Sequence, residues 1–123
     1  MSSFVDEFLD PWNRHDLDAI LGAMSPTAVW EHSVGSDRWG TAHRGREAIR
    51  AAAETVFQAI PDIHYELVRS HEGPGHVIVE LRVVGHNRET GQDLDYQACD
   101  ILELVDHEIV AKRSYRKVVS PVK

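Results

Sequence analysis

The sequence predicts an α+β fold, in which helices precede a set of consecutive antiparallel strands. Apolar residues recur with the period of a helix through much of the first 60 positions, and with a period of two from Ile63 onward. Short polar turns separate the later segments, as they do between hairpin-connected strands. We therefore expect a strongly curved antiparallel sheet, cone-shaped overall, with helices on its concave face enclosing an apolar pocket.

The first part of the chain is predicted to form two helical pieces. Phe4, Phe8 and Trp12 lie at helical spacing, and the pattern breaks around residues 13–15. Asp16 is a suitable N-cap for the second piece, which Pro26 is expected to end.

A short strand is predicted next, from Thr27 to His32, because its side chains alternate in character. A loop rich in Gly, Ser and Asp follows over residues 33–40. Gly45 then precedes the clearest helix of the chain, which Pro61 is expected to end.

Four strands complete the prediction, and turns rich in Gly, Asn and Asp join them. Their approximate bounds are 63–71, 76–86, 93–105 and 108–118. One domain spanning residues 1–123 is expected, because a chain of this length supplies one core and not two.

The composition of the chain argues against some classes of binding partner and indicates a cellular location. The net charge of −7, without a cluster of basic residues, argues against nucleic acid, and Lys112 and Arg113 are interpreted as part of a solvated face. No apolar run approaches the ~20 residues of a membrane span, so no membrane partner is expected. With a single cysteine, Cys99, and no recognised targeting segment, we expect a cytoplasmic location.

Asp100 is a lone acid in an uncharged run of a predicted strand. Strand alternation places it on the same face as Tyr96, Ala98 and Leu102. A carboxyl group there is costly unless it is paired or held neutral, which suits a general acid or base. A buried Asp that accepts structural hydrogen bonds fits the same position, so both interpretations stay open.

His32 shares a predicted strand face with Ala28 and Trp30 and stands before the Gly-containing loop. It can line the mouth of a cavity there and move protons, since imidazole titrates near neutrality. An exposed or capping histidine is the alternative. No spacing of His and Cys matches a metal site, and phosphate- and dinucleotide-binding motifs are absent, so we expect no metal and no cofactor.

Several short segments form one pattern when they are taken in order along the chain. They are Trp12–Ile20, Ala28–His32, His43–Ile49, Pro61–Asp62, Cys99–Leu102, Glu108–Val110 and Tyr115. This pattern resembles the SnoaL-like polyketide cyclases and the ketosteroid isomerases of the nuclear transport factor 2-like superfamily, over roughly residues 4–117. The resemblance implies a cone-shaped α+β domain, usually a homodimer, with a deep apolar pocket for a small lipophilic molecule.

The resemblance also implies roles for individual residues. Asp100 matches the strand acid that serves the cyclases as acid–base residue, and that donates a hydrogen bond to an enolate in the isomerases. His32 falls where the isomerases place their Asp base. Phe8 falls where they place an oxyanion-binding Tyr, and the missing hydroxyl argues against steroid isomerase activity. Ala98 replaces the Arg of limonene epoxide hydrolase, which argues against that arrangement.

We therefore expect a cofactor-independent acid–base enzyme that isomerises, cyclises or dehydrates a small lipophilic carbonyl compound. His32 would be the base, and Asp100 the acid or the donor to the developing oxyanion. The expected walls of the substrate pocket are Phe8, Trp12, Trp30, Trp39, Leu81, Val83, Tyr96, Ala98 and Tyr115.

A non-catalytic domain is the alternative, either binding a small ligand or serving as a dimeric scaffold. A homodimer would form through the outer sheet face, which is mixed in polarity and suits a dimer contact better than a large apolar docking patch. The residues predicted on that face are Glu80, Arg82, Val84, Gln97, Cys99 and Ile101.

Overall fold

The computed structural model describes residues 3–120 and confirms the α+β class. The elements are α1 Phe4–Arg14, α2 Leu17–Gly22, β1 Met24–Glu31, β2 Ala42–Arg44, α3 Arg46–Ala59, β3 His64–Gly73, β4 His76–His86, β5 Asp93–Val105 and β6 Glu108–Arg116. Within this range, every helix falls short of the length and hydropathy that crossing a bilayer requires.

The two N-terminal helices have well-defined ends. α1 begins at a capping box, because the Ser3 hydroxyl accepts from the Asp6 N–H while the Asp6 carboxylate accepts from the Ser3 N–H. His15 ends α1 in the left-handed conformation, at a φ of 54°. The Asp16 carboxylate then caps α2 by accepting from the Ala19 N–H at 3.1 Å. The predicted division into two pieces is confirmed.

The predicted end of the second helix is wrong. α2 ends at Gly22, and Pro26 lies inside β1. Proline is tolerated there because β2 pairs with β1 only at residues 29–31, so this stretch of β1 is an edge on that side. β2 itself was not predicted, because three residues are too few to show a period.

The strands form one six-stranded sheet in the order β2-β1-β6-β5-β4-β3. β1 and β6 run parallel and the other pairs antiparallel, which corrects the expected all-antiparallel sheet. The parallel pair joins the first and last strands, and local periodicity carries no information about such distant partners. Register shifts in three of the pairings bend the sheet, as bulges do.

The core lies between the sheet and the helices. Ile49 of α3 packs in one buried cluster with Val79, Leu102 and Ile109, and all four side chains are at most 1% exposed. Among residues 3–120, two charged side chains are buried in this interior, those of Asp100 and Lys112. Their positions define the candidate site.

Candidate active site

A cavity of about 260 Å³ is walled by strands of the sheet and by α3. Its apolar wall consists of Trp30, Val56, Ile60, Leu81, Val83, Leu94, Tyr96 and Ala98. Its polar groups include His32, Tyr65, Asp100, Lys112, Ser114 and Arg116. The volume is slightly below the ~300–1,000 Å³ of pockets for drug-sized ligands, so the cavity suits a small molecule.

A larger depression, of about 570 Å³, is lined by outward-facing residues that include Glu80, Gln97 and Cys99. It is more open, and the buried charged groups border the smaller cavity instead. We therefore place the candidate site in the smaller cavity. Within the described part of the chain, no three His, Cys, Asp or Glu side chains converge as metal ligands would.

Asp100 reaches the cavity from β5 and is 6% exposed. Ser114 stands opposite it on β6, and the Ser114 hydroxyl donates to Asp100 Oδ1 at 2.6 Å. Among residues 3–120, no hydrogen-bond partner is found for Asp100 Oδ2. That oxygen can therefore accept a proton or a hydrogen bond from a molecule in the cavity.

Lys112 of β6 is also buried, at 5% exposure, so its predicted position on a solvated face is wrong. That prediction treated Lys112 and Arg113 as an isolated basic pair, whereas β6 contains a bulge, since Leu104 pairs with Ile109 while Glu103 pairs with Ala111. The extra residue reverses the alternation beyond it and turns Lys112 inward. Strict alternation from the buried Ile109 would have turned this lysine outward.

The Lys112 ammonium lies in a cage of two indole rings. Its Nζ is 4.2 Å from the ring centroid of Trp12 and 4.2 Å from that of Trp30, distances typical of cation–π contacts. Asp100 Oδ1 lies 3.9 Å from the same Nζ. Burial lowers the pKa of Lys112, and the Asp100 carboxylate acts in the opposite direction.

Ser114 connects these groups. Its hydroxyl oxygen accepts from Trp30 Nε1 at 3.1 Å and from Lys112 Nζ at 3.3 Å. Its single proton is therefore left for Asp100 Oδ1, which must act as the acceptor. The hydrogen-bond directions of this network are fixed without reference to any ligand.

His32 follows the last residue of β1 and lines the cavity. The Val34 backbone N–H donates to His32 Nδ1 at 3.2 Å, so a neutral ring carries its proton on Nε2. Burial, and next the charges of Lys112, His43 and Arg116, lower the pKa of His32 to about 4. The ring is therefore neutral near pH 7, and its Nε2 is a hydrogen-bond donor.

Two tyrosines add phenol groups to the cavity. Tyr65 was not among the residues predicted from the sequence. Burial is the largest cause that raises the pKa of Tyr65, and the Asp100 charge is the next. Burial also raises the pKa of Tyr96, although Arg116, stacked 4.4 Å from its ring centroid, opposes this. Both phenols therefore remain protonated and can donate. Tyr65 belongs to β3, whose alternation is visible in the sequence, but only the sheet order brings it near Asp100.

The structure brings together most of the residues predicted for the pocket. Trp30, Leu81, Val83, Tyr96 and Ala98 line the cavity with His32 and Asp100, and Tyr115 lies on its rim at 55% exposure.

Three predicted wall residues lie elsewhere, which corrects the expected pocket. Phe8 and Trp12 belong to the buried stripe of α1, and Trp12 packs edge-on against Trp30. Trp39 is 43% exposed in the loop, beneath Arg38 and beside a separate depression of about 150 Å³.

Comparisons with known proteins identify the family. The sequence matches the family model of the SnoaL-like domain over residues 5–112. A search of curated proteins found no match.

Solved structures share the fold at low identity. A protein with a ketosteroid isomerase-like fold from Catenulispora acidiphila DSM 44928, in complex with trimethylamine, is 18% identical, with 94% of this chain and 85% of that chain covered and a TM-score of 0.79. A candidate SnoaL-like polyketide cyclase from Jannaschia sp. CCS1 is 20% identical, with coverages of 92% and 82% and a TM-score of 0.78. A nuclear transport factor 2-like protein of unknown function from Burkholderia pseudomallei K96243 is 16% identical, with coverages of 93% and 88% and a TM-score of 0.79.

Proposed function

Because the chain belongs to the SnoaL-like domain family, we propose that it is a cofactor-independent acid–base enzyme acting on a small lipophilic carbonyl compound. The reaction is an isomerisation, a cyclisation or a dehydration that begins with proton transfer from carbon. One observation carries the proposal: the buried Asp100 carboxyl and the His32 imidazole line the same small, mainly apolar cavity.

The geometry favours Asp100 as proton acceptor and His32 as donor, the reverse of the leading assignment from sequence. His32 Nδ1 is occupied by the Val34 N–H, so the remaining ring nitrogen carries hydrogen. A pKa of about 4 makes this imidazole a weak base but keeps it a neutral donor at ordinary pH. Asp100 Oδ2 has the capacity to accept, because Ser114 engages only Oδ1.

In the proposed reaction, Asp100 removes a proton from the carbon next to the substrate carbonyl. The electron pair moves onto the carbonyl oxygen, and His32 Nε2–H donates a hydrogen bond to the resulting oxyanion. Return of the proton from Asp100 to another carbon gives an isomer. Attack of the enolate carbon on a second carbonyl closes a ring, and the new alkoxide takes the proton back from Asp100. Loss of a β-hydroxyl group, protonated as it leaves, gives dehydration. All three outcomes need only these proton transfers.

The size and the lining of the cavity limit the class of ligand that it can bind. Its volume of about 260 Å³ favours a substrate smaller than a typical drug-sized ligand. The trimethylamine complex of the Catenulispora relative supports a small-molecule ligand for this chain too. The indole faces of Trp12 and Trp30 already hold the Lys112 ammonium, which favours a carbonyl compound over an amine here.

Binding without catalysis is the second candidate function. The observation that favours it is the pairing of Asp100 with Ser114 and Lys112, which gives the carboxyl a structural role. In that case the cavity would hold a ligand that leaves chemically unchanged.

A thermal-shift screen tests whether the carboxyl belongs to a ligand site. Small ketones, lactones and phenols would be added to the wild type, to Asp100→Asn and to Asp93→Asn, which alters an exposed acid of the same strand. A bound ligand stabilises the folded state in proportion to the logarithm of its concentration over Kd. We expect a hit that stabilises the wild type and Asp93→Asn alike and loses most of its effect in Asp100→Asn. Stabilisation that is equal in all three proteins would contradict the placement of Asp100 in the site.

Two further properties are proposed with the function. We propose a homodimer through the outer sheet face, where ion pairs such as Arg82–Asp95 give the mixed polarity of a dimer contact. Light scattering after size exclusion at micromolar concentration should give twice the monomer mass, and a monomer would contradict the dimer. A cytoplasmic location is proposed from the single, unpaired Cys99.

A further inference from the structure

Lys112 is the one buried cation of residues 3–120, and the proposed reaction does not use it directly. We propose that Lys112 is a positioning residue that holds Asp100 in its carboxylate form and thereby makes it the proton acceptor of the cavity. The inference deepens the proposed function and rests on it for its catalytic meaning, but its test needs no substrate.

The Lys112 ammonium is a buried charge, and burying a charge is costly. An ammonium removed from water destabilises a fold unless anions or polarisable groups replace its hydration. Two indole faces and the Ser114 oxygen supply part of that replacement. Among the described residues, Asp100 is the one carboxylate within ion-pair distance of Lys112, at 3.9 Å. The charge of Lys112 is therefore best balanced when Asp100 is ionised.

The hydrogen bonds around Ser114 also favour an ionised Asp100. Ser114 accepts from both Trp30 and Lys112, so its own proton is directed at Asp100 Oδ1. A carboxylate oxygen can accept this hydrogen bond and still lie close to the Lys112 ammonium. Proton uptake by Asp100 would leave the hydrogen bond from Ser114 in place but would remove the electrostatic attraction between Asp100 and Lys112.

The other groups around Asp100 do not supply this charge at neutral pH. Tyr65 of β3 and Tyr96 of β5 lie near enough for the Asp100 charge to raise the pKa of each, so both are neutral. Cys99 is neutral as well, because burial and, to a smaller extent, the Asp100 charge raise the pKa of its thiol. His32 is neutral because its pKa is about 4.

Arg116 is the remaining cation that lines the cavity. It is exposed, and its guanidinium carbon lies over the Tyr96 ring. Solvent screens an exposed charge far more strongly than a buried one, so Lys112 dominates the field at Asp100.

The test is a pH titration of the Asp100 carboxyl carbon by NMR on protein labelled with ¹³C at aspartate Cγ. The signal is assigned by its absence in Asp100→Asn. In the wild type we expect a carboxylate at pH 7. In Lys112→Met the midpoint of proton uptake should rise by about one pH unit or more, the size expected for loss of an adjacent opposite charge. Lys112→Arg should recover most of this change, and Lys117→Met, at an exposed position after β6, should show none.

Three results would overturn the inference. An unchanged midpoint in folded Lys112→Met would make the lysine merely structural, and a midpoint in Lys112→Arg as high as in Lys112→Met would exclude a role of its charge. A protonated Asp100 at pH 7 in the wild type would also refute the inference. This result needs no variant, so the test remains decisive if Lys112→Met does not fold. Failure of the proposed function would look different: the midpoint would still rise in Lys112→Met as expected, but proton transfer from substrate carbon would survive in Asp100→Asn.

Discussion

At the scale of single residues, the site is defined by hydrogen bonds that have one possible direction. The Ser114 hydroxyl uses both acceptor positions and its donor, and the Val34 N–H fixes the tautomer of His32. Sequence reasoning found Asp100 and His32 because each lies on an otherwise apolar strand face. It could not indicate which of the two accepts the proton, because the tautomer of His32 depends on a loop N–H that no sequence pattern reveals.

The Ser114 hydroxyl gives a prediction about stability. Ser114→Ala removes the donor to Asp100 and the acceptor of the Trp30 indole, leaving buried polar groups without partners. We expect a loss of about 1–3 kcal/mol in the free energy of unfolding, measured by urea denaturation. Ser70→Ala, at an exposed position of β3, should change it by less than about 0.5 kcal/mol. Equal effects of the two substitutions would argue against the network.

The His32 donor gives a prediction about rate. His32→Ala should lower turnover by about 10²–10³-fold, the usual cost of removing one oxyanion donor. The exposed His64 of β3 is the matched control, and His64→Ala should keep the wild-type rate. Because the pKa of His32 is about 4, the wild-type rate should not fall through this residue between pH 7 and pH 5.5. An acid limb near pH 6.5 that disappears in His32→Ala would contradict the assignment.

At the scale of elements, the sequence specifies the helices and hairpins well and the irregular positions poorly. The strands 76–86 and 93–105 have the predicted bounds, because alternation and turn residues are local signals. The bulge near Ile109 adds one residue to β6 and reverses the faces beyond it, so even strict alternation from Ile109 would turn Lys112 outward. Pro26 inside β1 and the three-residue β2 likewise depend on which strands become neighbours.

The loop between β1 and β2 gives a prediction about the position of His32. Gly40 has a φ of 78°, and a Cβ built there would overlap the His32 carbonyl oxygen. Gly40→Ala should therefore displace the loop and lower the free energy of unfolding by about 1–3 kcal/mol. Gly22→Ala, where a Cβ meets nothing within 4 Å, is the control and should be neutral or slightly stabilising. Urea denaturation and the His32 NMR signals would report both effects, and a tolerant Gly40→Ala protein would refute the prediction.

At the scale of the whole molecule, the sequence predicts the fold class and the apolar cavity, and the sheet topology supplies the rest. Parallel pairing of β1 with β6 brings Trp30 beside Lys112 and Ser114, which are more than 80 positions away along the chain. Periodicity describes each strand alone, so this cluster could not be predicted from it. Overall composition is equally uninformative, since a chain of net charge −7 buries a lysine in its core.

Folding stability should depend on pH through His32. Burial lowers the pKa of His32 from 6.5 in the unfolded chain to about 4 in the folded protein, so the unfolded state binds the proton more strongly. The contribution of this residue is therefore fully present above pH 6.5 and is lost as the pH falls toward 4. We expect the difference in unfolding free energy between the wild type and His32→Ala to shrink by up to about 3 kcal/mol from pH 7 to pH 4. A difference that is constant across this range would contradict the low pKa.

The most direct test of the account is whether the cavity removes a proton from carbon. Small cyclic ketones would be incubated in D₂O with the wild type, Asp100→Asn and Asp93→Asn, and loss of the α-proton signals would be followed by ¹H NMR. We expect exchange faster than in buffer alone with the wild type and Asp93→Asn, and a rate at least ~10²-fold lower with Asp100→Asn. Exchange that is equally fast in Asp100→Asn, or a wild type no faster than buffer on every ketone that stabilises it, would contradict the assignment of this cavity as an acid–base site.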